Sequence, residues 1–171
     1  AAVGRKLISG HHPIRARRHT QGATGVTVPE THDRRSLARV RRPLDADTAA
    51  IETVAEVAGG KPLWLDANKS YRPAALRQLL DRTREIRTIH CVEQPVPSTD
   101  TLAMQRLRGL VDLPIAIDEG SFTAPDLARA IRLDAADLVV VKVCKSGGLR
   151  NALKTAQTAL AGGLEILASG L

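Results

Sequence analysis

The sequence predicts an α/β protein built on a parallel sheet, and three observations carry that expectation. Short apolar runs recur from residue 37 onward, their centres roughly 24 to 27 residues apart. Amphipathic helical patterns fill the intervals, with apolar residues at i, i+3, i+4 and i+7. Caps and glycine pairs mark where each helix starts and stops. Strands that alternate with helices need crossover connections, so the sheet is parallel, either closed as a barrel or open and doubly wound.

The strands are expected at Leu37–Arg41, Pro62–Asp66, Thr88–Glu93, Pro114–Asp118, Asp137–Val143 and Leu164–Ala168. Between the first two, Ile51, Val54, Ala55 and Ala58 form a helical stripe that opens at Asp47-Thr48 and closes at Gly59-Gly60. The next helix carries Leu76, Leu79 and Leu80 behind Ser70 and Pro73. A third carries Leu107, Leu110 and Val111 behind Thr99-Asp100, and a fourth Leu127, Ala130 and Ile131 behind Thr123 and Pro125. The fifth stripe is Leu149, Ala152, Leu153 and Ala156, closed by Gly162-Gly163. In the head, Ile14–Arg18 reads as a further strand and Pro29–Ser36 as a short helix.

Composition narrows the function. The chain has 171 residues, 43% of them hydrophobic and 25% charged, enough for one domain with a sizeable core. No apolar run reaches the roughly 18 to 20 residues of a membrane helix, and the start lacks a signal-peptide core. Cys91 and Cys144 have no metal-binding spacing, so a reduced, cytoplasmic setting is expected. The net charge of +7 is uneven: residues 1–43 hold ten Lys/Arg against Glu30 and Asp33, and the remainder is nearly neutral. Such a head could touch a polyanion, but a solvated chain end explains it more simply. With three aromatic residues, Trp64, Tyr71 and Phe122, a base-stacking nucleic-acid surface is not expected. No GxGxxG follows an early strand, KSGG reverses the order of a phosphate loop, and no Gly-x-Ser-x-Gly elbow occurs.

The chemistry lies at the strand ends. Three consecutive strands finish in a carboxylate, Asp66 in LWLDAN, Glu93 in HCVEQP and Asp118 in IAIDEG, and the next finishes in Lys142. Any one of these acids reads as a turn residue, but four equivalent coincidences do not. In a parallel barrel the strand tips converge on one face, where active sites are built. Three carboxylates there suit a hard divalent cation. Lys142 follows four apolar residues, and alternation points it inward with Leu138 and Val140.

These motifs, Asp66-Ala67-Asn68, Glu93-Gln94-Pro95, Asp118-Glu119-Gly120 and Lys142-x-x-Lys145-x-Gly147-Gly148, resemble the enolase superfamily. The likeness is closest to the mandelate racemase/muconate lactonizing enzyme branch, of the muconate-lactonizing type. The separations of 27, 25 and 24 residues fit that family's barrel. The resemblance implies a partial (β/α) TIM-type barrel of about six or seven βα units. Residues 1–36 would be a basic head, the remnant of the cap-to-barrel connection and first unit. Residues 37–171 would be the barrel portion, truncated before the last strand. It also implies Mg²⁺ held by Asp66, Glu93 and Asp118, with Asn68, Glu119 and Lys145 beside them contacting ligands or substrate. Lys142 would be the acid/base catalyst that removes a proton α to a carboxylate, its pKa lowered by apolar walls and a cation. The substrate would be a small carboxylate, and the reaction a cycloisomerisation, racemisation, epimerisation or dehydration. The intact family would form homo-oligomers. Where the family carries Lys-x-Lys, this chain has Arg39 and Arg41, which can bind an enolate but are poor bases. The alternatives are an inactive fragment or degenerate copy, and nucleic-acid binding through the arginine-rich head.

Overall fold

A computed structural model describes residues 24–25 and 44–170 of the chain. Among them, six strands and five helices alternate. β1 is Thr24–Gly25, followed by α1 (Leu44–Ala58), β2 (Leu63–Asp66), α2 (Pro73–Arg82), β3 (Ile89–Glu93) and α3 (Thr101–Arg108). Then come β4 (Ile115–Ile117), α4 (Ala124–Arg132), β5 (Leu138–Lys142), α5 (Leu149–Ala161) and β6 (Glu165–Ser169). All pairings are parallel, and the strands lie side by side in chain order from β1 to β6. The architecture is a (β/α) barrel in part, curled with helices outside.

Side-chain alternation sorts each strand between two cores. Leu63, Leu65, Val92, Ile115, Ile117, Val139 and Val141 are buried; most of them pack with Leu76, Leu79, Leu107 and Leu127 of the helices. Each such leucine contributes about 1.5 to 3 kcal/mol by leaving water. The opposite parity, Trp64, Cys91, Ala116, Leu138, Val140 and Leu167, forms a smaller cluster inside the curl. Continuing that parity by two residues reaches Asp66, Glu93, Asp118 and Lys142. The inner column therefore ends in charge at the C-terminal rim.

Several helix boundaries depart from expectation. α1 starts at Leu44, a turn ahead of Asp47-Thr48, with Asp45 and Asp47 in its first turn against the helix dipole. α2 is capped by Arg72 rather than Ser70. α3 ends at Arg108 with Gly109 as C-cap, leaving Leu110 half exposed beyond it. α4 opens with the expected Thr123, whose side chain and that of Asp126 form a reciprocal capping box. The face that α5 buries is Ala152, Thr155 and Ala159, while Leu149 and Leu153 point outward at 74% and 56% exposure. Small residues let α5 approach α4 closely; a Cβ on Gly162 would lie 2.4 Å from Ile131. β1 at Thr24–Gly25 was not anticipated, and the expected strands Ile14–Arg18 and Leu37–Arg41 and the short helix Pro29–Ser36 lie outside the described residues.

Candidate active site

The rim is assembled from strand exits. Asp66, Glu93 and Lys142 are the last residues of β2, β3 and β5, and Asp118 follows β4 by one residue. Asp66 is directly in register with Glu93, and Glu93 with Ala116. Arg39 and Arg41 lie outside the described residues.

Asp118 is the hub. It is 4% exposed, and each of its oxygens accepts from a lysine: Oδ2 from Lys142 Nζ at 2.5 Å and Oδ1 from Lys145 Nζ at 2.7 Å. Lys145 also donates to the Asp118 and Val140 carbonyls at 2.8 and 2.6 Å, so its three protons are all placed. Burial pushes the Asp118 carboxyl up, but the two ammonium groups outweigh it and hold it below the usual range.

The neighbouring acids lack such compensation. Glu93 accepts from Trp64 Nε1 at 2.6 Å, yet burial and the charges of Asp66 and Asp118 push it up to about 8. Asp66, whose Oδ1 accepts from the Asn68 N–H at 3.0 Å, is raised by burial and by Glu119 and Asp118. Lys142 departs from expectation. Burial pulls its ammonium down, but Asp118, Glu93 and Asp66 surround it and the net shift is upward. In this arrangement the carboxylates hold its proton.

Glu119 reaches back over the β3 exit to pair with Lys69, two strands away. Asn68, Lys69 and Gln94 all have positive φ, 42°, 65° and 37°, a conformation that costs a residue with a Cβ about 1 to 2 kcal/mol. Left-handed turns at two adjacent exits mark the rim as the strained end of the sheet.

Three contributors were not singled out from sequence. Trp64 was detectable, because alternation puts it two residues below Asp66 on the same face. Lys69 and Gln94 act through turn geometry, which has no periodic signal. No group of three His, Cys, Asp or Glu among the described residues is gathered tightly enough to hold a metal ion as it stands. No helix among the described residues is long and apolar enough to cross a membrane.

The chain is similar in sequence and fold to known proteins. The chain is 35% identical over 106 residues to the L-Ala-D/L-Glu epimerase of Clostridium acetobutylicum, covering 61% of this chain and 30% of that protein. It is 35% identical over 120 residues to the N-succinyl-L-Arg/Lys racemase of Bacillus cereus, covering 70% and 32%. The fold matches the dipeptide epimerase of Enterococcus faecalis V583, complexed with Mg and the dipeptide L-Leu-L-Tyr, at a TM-score of 0.73 and 28% identity over 77% of this chain and 37% of that one. This chain thus spans about a third of the length of the relatives it matches. Residues 14–170 match the family described as enolase C-terminal domain-like. The chain belongs to that family, in the mandelate racemase/muconate lactonizing enzyme branch of the enolase superfamily.

Proposed function

We propose that this chain forms the reacting half of a barrel that removes a proton α to a carboxylate, with Lys142 as the base and a Mg²⁺-dependent rim. The carrying observation is the placement of Lys142 Nζ on Asp118 Oδ2 at the rim where Asp66 and Glu93 also end. The segments matched make up about a third of those relatives' length, so the whole protein's activity, substrate and partners are proposed with it.

The donor set suits a divalent cation. Glu93 at about 8 and a raised Asp66 are carboxylates whose mutual repulsion a cation would relieve. Asp66, Glu93 and Asp118 would hold the ion, which when bound would supply the positive charge that stabilises an enediolate. With all four carboxylates (Asp66, Glu93, Asp118, Glu119) ionised against three ammonium groups (Lys69, Lys142, Lys145), the formal charge is one negative, and the raised Glu93 shows that the last of these charges is resisted. A divalent cation would turn that into one positive, which matches a carboxylate anion. Lys142 can accept a proton only when the carboxylate charge now raising its pKa is neutralised. Lys145, which donates to Asp118 Oδ1 and to the Asp118 and Val140 carbonyls, keeps Asp118 in place. With arginines at the second-base position, the chain supports proton removal from one face only. Among the substrates of the relatives, dipeptides and N-acylated amino acids carry the required α-proton beside a carboxylate.

The test supplies such a substrate with Mg²⁺ in deuterated water, using the chain within its intact protein, and follows loss of the α-proton by NMR. Exchange is expected at one enantiomer, and Lys142→Ala should lower it by about 10² to 10⁴-fold. Undiminished exchange in that variant would make another residue the base. The enzymic relatives favour this reading over an inactive copy or a nucleic-acid binder.

A further inference from the structure

Gln94 stands immediately after Glu93 and is completely buried. Its side-chain Oε1 accepts two backbone N–H groups from the neighbouring strand exit, Asp118 at 3.0 Å and Gly120 at 2.9 Å. Its Nε2 donates to the Val96 carbonyl at 3.0 Å. The main chain of the same residue ties in both neighbours: its N–H donates to Ala116 at 2.9 Å, and its carbonyl accepts from Lys69 at 2.7 Å. One residue therefore joins the exits of β2, β3 and β4.

The surroundings are shaped to this amide. A Cβ on Gly120 would lie 3.3 Å from Gln94 Oε1 and 2.9 Å from the Ile117 side chain, so the close approach depends on glycine there. Gln94 itself accepts a left-handed backbone at φ +37° to aim its side chain across to β4. An amide in this position adds no apolar burial. It satisfies N–H groups that flank Glu119 and include that of Asp118, and it fixes the direction in which both side chains leave the strand.

We infer that Gln94 is a positioning residue: its amide locks the β4 exit and fixes the direction in which Asp118 leaves toward the rim that ends Asp66 and Glu93, and it thereby sets the affinity of that rim for a divalent cation. This rests on the cation reading given above. Gln94 acts through Asp118 and is not a catalytic residue.

The experiment titrates the same intact protein with Mn²⁺, read by electron paramagnetic resonance, and measures amide hydrogen exchange at Asp118 and Gly120. Gln94→Met keeps the length and loses the hydrogen bonds. Gln94→Glu keeps the length and an acceptor for both N–H groups. Ile89→Val, at the far end of β3, controls for general loosening. Gln94→Met should weaken Mn²⁺ binding by about 10- to 100-fold and speed exchange at both amides. Gln94→Glu should restore both readouts, and Ile89→Val should change neither. Wild-type affinity in Gln94→Met, or equal weakening in Ile89→Val, overturns the inference alone. A wild-type protein that binds no Mn²⁺ overturns the cation reading and this inference with it.

Discussion

Two aspartates, at opposite ends of the same sheet, are both bridged by cations and yet behave differently. At the foot, Asp137 precedes β5; it accepts from Arg108 Nε at 2.9 Å and, through its other oxygen, from the Ile115 N–H at 2.9 Å. Arg108 uses its remaining edge on Asp134 at 2.6 Å. Its guanidinium is pulled down by burial but raised overall by these two acids. The foot joins α3, β4 and β5 through one guanidinium shared by two acids, and Glu165, at the start of β6, is raised by burial and by Asp137. At the rim, Asp118 is answered twice while Glu93 and Asp66 have no cation of their own, and both are raised. The foot also has one residue other than glycine at positive φ, Asp134, against three at the rim. At the foot, the guanidinium bridge joins three elements and stabilises the fold. Charges left in mutual repulsion, on strained turns, are stabilised only by what binds there.

The sharpest test of this contrast removes each aspartate in turn. Asp118→Ala strands two lysines, of which Lys145 is 7% exposed, and should cost about 3 to 5 kcal/mol in chemical denaturation together with Mn²⁺ binding. Asp137→Ala leaves a third-exposed Arg108 that water can reach and one N–H to satisfy, so about 1 to 3 kcal/mol is expected with Mn²⁺ affinity intact. Equal losses of both quantities at the two sites would abolish the distinction.

A second test uses pH. A carboxyl raised in the folded chain binds its proton more tightly there than in the unfolded chain. For Glu93 that stability is complete below its unfolded value of 4.5 and declines as pH rises toward about 8. Asp66, also raised, acts in the same sense. In EDTA, Tm should therefore fall between about pH 5 and pH 8, and Glu93→Gln should flatten the decline. A Tm that rises over this window would mean the rim carboxylates are compensated after all.

The smallest effect expected is at Thr123. Its hydroxyl caps α4 and takes no part in the rim, so Thr123→Ala should cost about 1 kcal/mol and leave cation affinity unchanged. Weakened Mn²⁺ binding would show that the cap, too, helps to hold the loop after Asp118.

What the sequence by itself determined is the alternation and its consequences. Apolar runs of period two, separated by stripes of period 3.6, specify parallel strands with helices between them. The same parity that buries Trp64 and Val140 carries Asp66 and Lys142 to one rim. These features are local or repeat along the chain, so they can be read without coordinates. The stripe of α5 was misread for the same reason: periodicity shows that a face is apolar but not which face meets a neighbour, and close packing on α4 chose the small residues over Leu149 and Leu153. The tertiary structure alone decided the pairings across strands. Trp64 on Glu93, Lys69 on Glu119 and the Gln94 amide on the β4 exit join residues 24 to 50 positions apart. It also decided the state of Lys142, because a lysine's proton affinity depends on which carboxylates surround it in space, and its own strand carries none of them.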